Sequence, residues 1–211
     1  MIGVYGGTFN PVHYGHLRTA LEVKELFGLQ RLHLIPCRLP AHRGQPEADA
    51  EIRMQMLAAA VADTPGFFAD RRELERDGPS YMVDTLAALR SELADDTPLL
   101  LFIGADAFAG LERWHRWQRL FELAHVVVMT RPGFLHGPLP DFLRQRLADD
   151  SRLLSDAPAG RIYFQPVTAL AISATEIRRL IAAGRSPQFL LPDRVIALIR
   201  QHQLYQATTD Q

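Results

Sequence analysis

The sequence of 211 residues predicts an α/β fold, a doubly wound and mainly parallel sheet with a helical extension at its C-terminal end. Three observations predict it. Short apolar runs alternate with stretches of helical period as far as about residue 165. Several of those runs are apolar at every position, as in Leu99-Leu100-Leu101-Phe102-Ile103 and Val126-Val127-Val128-Met129, the pattern of strands buried on both faces. Beyond them, two helical stretches follow one another with no strand between.

Taken in order, strand Ile2–Tyr5 runs straight into a glycine pair, and a helix is expected over Gly15–Phe27. Strand Arg31–Ile35 leads through a loop rich in Pro, Gly and charge, Pro36–Pro46, to a helix over Ala50–Ala62. Strand Phe67–Asp70 precedes a helix over Tyr81–Leu93, and strand Leu99–Ile103 precedes one over Ala105–Leu111. Strand His125–Thr130 is followed by a second such loop, Arg131–Pro140, and a helix over Phe142–Ala148. A third loop, Asp149–Gly160, reaches the last strand, Arg161–Gln165. In the extension, Ser173 three residues before Glu176 gives the spacing of a capping box, and Gly184 lies just past the helix Ala174–Ala183. A final helix covers Asp193–Gln203. No repeat or linker divides the chain, so a single domain over residues 1–211 is expected, helical from about 173.

Composition narrows the function classes. Apolar residues make up 47% and charged residues 22%, the ordinary globular range. A net charge of −1 gives no reason to expect nucleic acid as a partner. Cys37 is the only cysteine, which rules out an intrachain disulfide and a cysteine-rich zinc site and suits a reducing compartment. The N-terminus enters a strand at once, and no apolar run approaches the roughly 18 residues of a membrane span. A cytoplasmic protein with no membrane partner is the expectation.

The chemistry concentrates after the first strand, in Gly6-Gly7-Thr8-Phe9-Asn10-Pro11-Val12-His13-Tyr14-Gly15-His16. Glycines at a strand's carboxyl end let backbone approach a ligand, and the helix that follows presents an N-terminus that favours anions. His13 and His16 add donors. Neither GxGxxG nor GxxxxGK[ST] is present, and a His-x-x-His zinc pair lacks a third ligand at recognisable spacing. Phosphate handling is the reading that remains.

This segment resembles the first signature of the HxGH nucleotidyltransferases. Ile172-Ser173-Ala174-Thr175-Glu176-Ile177-Arg178 resembles their second, ISSTxIR, with Ala174 in place of a serine. The middle of the chain selects a branch. Pro36-Cys37-Arg38-Leu39-Pro40-Ala41-His42-Arg43 is similar to a PxxxPPHK loop, with Ala41 and Arg43 for proline and lysine. Glu73-Leu74-x-Arg76-x-Gly78-x-Ser80-Tyr81-x-x-Asp84-Thr85-Leu86, Gly104-x-Asp106, Trp114-His115-x-Trp117, Leu191-Pro192-x-x-Val195 and Leu204-Tyr205 continue the likeness. The chain is thereby similar to the bacterial nicotinate-nucleotide adenylyltransferases along nearly its whole length.

That resemblance implies a Rossmann-like sheet and transfer of AMP from ATP to nicotinate mononucleotide, giving nicotinate adenine dinucleotide and pyrophosphate for NAD biosynthesis. It implies catalysis by His13, His16 and Arg178. ATP would lie on Gly6, Gly7, Thr8, Phe9 and His16, on His42 and Arg43, on Gly104 and Asp106, and on Ser173, Thr175 and Arg178. The mononucleotide would meet Gly7, Thr8, Thr85, Trp114, His115 and Arg131. Phe102 and Trp117 are read as core. Backbone N–H groups near Trp114 and Thr85 would favour a carboxylate acceptor over its amide. Mg²⁺ would accompany ATP with no dedicated protein ligand. No covalent intermediate is needed, since a phosphate dianion is itself a nucleophile. The sequence leaves open whether copies associate into a homo-oligomer. Phosphopantetheine adenylyltransferase and a non-catalytic nucleotide-binding sensor are the alternatives. The first has no use for Ser80–Leu86 and Trp114–Trp117; the second could dispense with the histidines and Arg178.

Overall fold

The computed structural model describes residues 1–40 and 44–207. Among the described residues six strands form one sheet, β1 Ile2–Gly7, β2 Arg31–Pro36, β3 Phe67–Ala69, β4 Leu99–Gly104, β5 His125–Thr130 and β6 Ile162–Pro166. Their order is β3-β2-β1-β4-β5-β6, and every pairing is parallel. This is the Rossmann order, in which the chain reverses its direction of travel between β1 and β4. Each strand that the sequence predicts is present, with no end shifted by more than two residues and β5 at the expected bounds.

The helices are α1 Tyr14–Leu26, α2 Ala50–Val61, α3 Met82–Arg90, α4 Ala105–Phe108, α5 Leu120–Leu123, α6 Asp141–Arg144, α7 Ala174–Ala182 and α8 Asp193–Gln201. The expected helices at 105–111 and 142–148 shrink to single turns. The first gives way at Ala109 and Gly110 to a 3₁₀ turn, Leu111–Arg113. In the second, the Leu147 and Ala148 backbone leaves the helix to meet β6, with the Ala148 amide donating to the Ile162 carbonyl at 2.8 Å. Sheet pairing satisfies those peptide groups, so helical propensity loses. The turn α5 and two further 3₁₀ turns, Trp117–Arg119 and Ser151–Leu154, carry no periodicity long enough to read.

Both faces of the sheet are buried. Alternate residues of one strand enter opposite cores: Leu100 and Phe102 pack with α1 and α2, Leu99, Leu101 and Ile103 with α3 and α5. Phe102 is fully buried, as the sequence suggests, whereas Trp117 is half-buried against Phe121 and Phe142. Each fully buried Leu, Ile or Val in these layers contributes about 1.5–3 kcal/mol of transfer free energy.

The C-terminal helices return to the start of the chain. Ile177 of α7 and Val195, Ile196 and Ile199 of α8 lie in the same core as Val12, Ala20, Met56 and Leu57. Ser173 caps α7, its hydroxyl accepting from the Glu176 amide at 3.2 Å. The reciprocal half of the capping box is not made, because the Glu176 carboxylate pairs with Arg179. At the other end Gly184 takes φ +67, and the Gly184 and Arg185 amides donate to Ile181 and Leu180 in a Schellman closure. Tight stops at both ends let α7 present its first turn to the carboxyl edge of β1.

Candidate active site

The carboxyl ends of β1 and β4 lie where the sheet reverses, the edge at which open α/β sheets bind ligands. Two cavities open there. One, of about 360 Å³, is lined by Phe9, His16, Glu47, Ala174, Thr175 and Arg178. The other, of about 600 Å³, is lined by Glu73, Ser80, Tyr81, Asp106, Trp114 and His115. Gly6, Gly7 and Thr8 belong to both walls. Two occupants would therefore meet over the glycine turn.

The turn is set by packing beneath it. Phe9 sits at φ +46, a left-handed backbone that places its ring in the core at 1% exposure. A Cβ on Gly7 would lie 3.0 Å from that ring, a tight contact that glycine avoids as the backbone folds over it. Phe9 meets His16 edge-on with centroids 5.1 Å apart, and His16 stacks on His13 at 3.7 Å. Gly15 makes the histidine stack possible. A Cβ there would lie 2.9 Å from the His13 Nδ1 and 3.3 Å from the Ile172 carbonyl. The spacing His-x-Gly-His thus has a steric cause: the second signature's backbone presses on the first at the one position without a side chain.

Burial dominates the electrostatics of this pair. It pushes the His13 imidazole down to about 4 and His16 down to about 3, the latter helped by repulsion from His13. Both rings are neutral near pH 7. The Nδ1 atom of each is buried and unpartnered among the described residues. An imidazole with one nitrogen so enclosed has only its other nitrogen to offer a ligand.

The two signatures also meet through Asn10. Arg178 donates from Nη1 to the Asn10 carbonyl at 2.9 Å, and Tyr205 donates its hydroxyl to the Asn10 Oδ1 at 2.6 Å. The Arg178 Nε donates to Glu47 Oε1 at 2.8 Å, so a carboxylate already rests on this guanidinium.

The structure gathers some of the expected residues and separates others. Gly6, Gly7, Thr8, Phe9, His16, Thr175 and Arg178 surround the smaller cavity. His13 lines neither cavity and backs His16. Ser173 also lines neither, its hydroxyl held by the α7 cap. Asp106, in the first turn of α4, faces the larger cavity with Trp114 and His115. The His115 ring stacks on Tyr81 at 4.3 Å. Gly104 closes β4 at φ −72, and a Cβ there would meet nothing within 4 Å. Neither backbone nor protein packing accounts for a glycine at that place. Thr85 is fully buried behind the wall, its hydroxyl donating to Glu73 Oε1 at 2.6 Å. The Thr85 and Trp114 amides are spent on the Tyr81 and Leu111 carbonyls, so those two groups do not await a carboxylate. The first-turn amides of α3, at Met82 and Val83, have no intrahelical partner, and both residues line the larger cavity. Arg131 is exposed just past β5 and lines neither cavity. His42 and Arg43 lie outside the described residues.

Sequence reasoning passed over Asn10, Glu47 and Arg53 and left Glu73 unassigned. Arg53 had a signal. It falls on the stripe of α2 that also buries Met54, Met56, Leu57 and Val61, where a charge needs a reason.

Comparison with known proteins agrees with this architecture. The profile of the Cytidylyltransferase-like family matches residues 4–180. The chain is 52% identical to a probable nicotinate-nucleotide adenylyltransferase of Methylococcus capsulatus, over 97% of this chain and 99% of that one. It is 50% identical to the protein of that description from Pseudomonas putida, over 98% and 95%. Among solved structures, a Plasmodium falciparum nicotinic acid mononucleotide adenylyltransferase complexed with NaAD superposes with a TM-score of 0.70 at 18% identity, over 97% of this chain and 96% of that one. That last likeness is one of fold. With a Rossmann-ordered sheet, two signatures joined at Asn10 and half-identical relatives along its length, the chain belongs to the nicotinate-nucleotide adenylyltransferases of the cytidylyltransferase-like family.

Proposed function

We propose that the protein transfers AMP from ATP to nicotinate mononucleotide, forming nicotinate adenine dinucleotide and pyrophosphate for NAD biosynthesis. The observation that carries this reading is the shared floor: one cavity holds His16, Thr175 and Arg178, the other is walled by Trp114, Tyr81 and His115, and Gly6-Gly7-Thr8 serves both. The triphosphate fits the smaller cavity, where a guanidinium, an imidazole and the α7 N-terminus converge. The pyridine ring fits the larger one, where flat aromatic faces are available for stacking. The open space over Gly104 suits the adenosine ribose, with Asp106 in reach as an acceptor.

The acceptor phosphate then attacks the α-phosphorus in line, and pyrophosphate leaves. Thr8 and its glycines align the two phosphates, while His16 and Arg178 offset charge that builds on the leaving group. Among the described residues no cluster of three or more His, Cys, Asp or Glu could hold a metal ion. Mg²⁺ would ride on the triphosphate's own oxygens and water, supplying charge neutralisation there. The nicotinate carboxylate would be read by the α3 N-terminus, whose amides favour a full negative charge over a neutral amide.

Purified protein given ATP with nicotinate mononucleotide, nicotinamide mononucleotide or phosphopantetheine, with pyrophosphate release as readout, tests the assignment. Nicotinate mononucleotide should be used best, by about 10- to 150-fold over its amide, the scale of one hydrogen bond to a charged group. Equal use of the two pyridine acceptors removes the carboxylate preference. Binding of ATP without turnover of any acceptor would instead indicate a sensor.

A further inference from the structure

Arg53 is among the most deeply buried side chains of the described residues, at 1% exposure, and among those residues it forms no salt bridge with a carboxylate. Its guanidinium is satisfied by three backbone carbonyls from three segments. Nη1 donates to Thr8 at 2.8 Å, Nε to Ala48 at 3.1 Å and Nη2 to Arg38 at 3.3 Å. Thr8 belongs to the floor of both cavities. Ala48 follows Glu47, a wall of the phosphate cavity. Arg38 is bonded in turn to the other cavity, its amide donating to the Ser80 hydroxyl at 2.9 Å. One side chain therefore fastens the floor to both walls.

A buried cation without a counter-anion is costly, and an apolar side chain of similar volume would fill the space on α2 without that cost. We propose that Arg53 is a positioning residue for the transfer: its fork fixes Thr8 between the two cavities, and its charge is complemented by the polyphosphate that binds above. The proposal rests on the adenylyl-transfer reading for its kinetic half and is independent of the acceptor for its binding half. No group in it is consumed, and no bond to Arg53 forms.

Arg53→Lys keeps the charge and loses the fork; Arg53→Met loses both. Two quantities are read well below each variant's melting transition: the dissociation constant for inorganic tripolyphosphate by calorimetry, and kcat and both KM values with ATP and nicotinate mononucleotide. The lysine variant should bind tripolyphosphate within about threefold of the parent yet lose at least about tenfold in kcat, as displacement of reacting groups by a fraction of an ångström requires. The methionine variant should bind tripolyphosphate about tenfold more weakly. Should it fail to fold, the split between affinity and kcat in the lysine variant decides alone. A lysine variant with parental kcat, or one whose lost rate tracks its lost folded fraction, overturns the positioning role. Parental tripolyphosphate affinity in a folded methionine variant overturns the electrostatic one. If the parent itself releases no pyrophosphate with nicotinate mononucleotide, the acceptor assignment is what fails, and Arg53 is judged on tripolyphosphate.

Discussion

The phosphate cavity draws its polar side chains from positions as distant as His16 and Arg178, while the aromatic cavity takes most of its wall from residues 73 to 115. The first is closed by hydrogen bonds across the chain's length, Arg178 and Tyr205 both to Asn10. The second is closed by short turns and stacked rings. Their contents differ accordingly: the first gathers an imidazole, a hydroxyl and a guanidinium, and the second sets the aromatic faces of Tyr81, Trp114 and His115 beside Glu73, Asp106 and Arg113. Changes in the first should therefore act on the chemical step, and changes in the second on acceptor affinity.

The sharpest separation should come from His16→Ala, with kcat lower by about 10²–10³ and the mononucleotide KM little changed, the scale of one lost donor to developing charge. Near-normal turnover in steady-state assays of that variant would take His16 out of the mechanism. Trp114→Ala should do the converse, raising the mononucleotide KM by about 5- to 150-fold, the scale of one base stacked on an aromatic side chain. A comparable rise in the KM for ATP would show the two cavities to be one.

Acid should unsettle the phosphate side first. His13 and His16 have folded pKa values of about 4 and about 3, below the unfolded value near 6.5. Between those limits the unfolded chain binds more protons, so their contribution is complete above about pH 6.5 and is lost as pH falls toward 4. The loss should be about 3 kcal/mol for each histidine, about 6 kcal/mol for the pair, between pH 7 and pH 4 in denaturant titrations, and about half that in His16→Gln. Burial of Asp70 is outweighed by bonds from His33 and Arg72, which hold its carboxyl at about 2, so it acts below that window. A pH-independent stability from 7 to 4 would contradict the burial of the histidine pair. The smallest effect belongs to Glu47→Gln. Removing the carboxylate that rests on Arg178 should lower the KM for ATP by about two- to fivefold, the scale of an exposed ion pair. An increase would make Glu47 part of the ATP site instead of its competitor.

How much of this was legible in the sequence follows from range. β4 and β5 were readable because burial on both faces leaves an unbroken apolar run, the other strands because short apolar stretches alternate with helical ones, and α7 because its cap and its glycine stop are local. The helix cut short by pairing to β6 was not, since Ala148 bonds to a strand residue 14 positions further along the chain. The phosphate signatures could be read as motifs, but their junction at Asn10 could not, because its partners Arg178 and Tyr205 lie 168 and 195 residues away. The same limit hid the fate of Thr85: its hydroxyl turns to Glu73, away from the cavity that its motif borders. Glu73 is the inverse case, a residue quoted for its likeness that proves to be buried in a cavity wall.

The bond from Tyr205 to Asn10 also sets an order in time. A ribosome delivers the glycine turn early, yet the hydroxyl that braces it emerges some 195 residues later. Nascent chains ending before α7 would carry the first signature with neither Arg178 nor Tyr205 to brace it. Competence to bind would then arrive only once both braces have emerged.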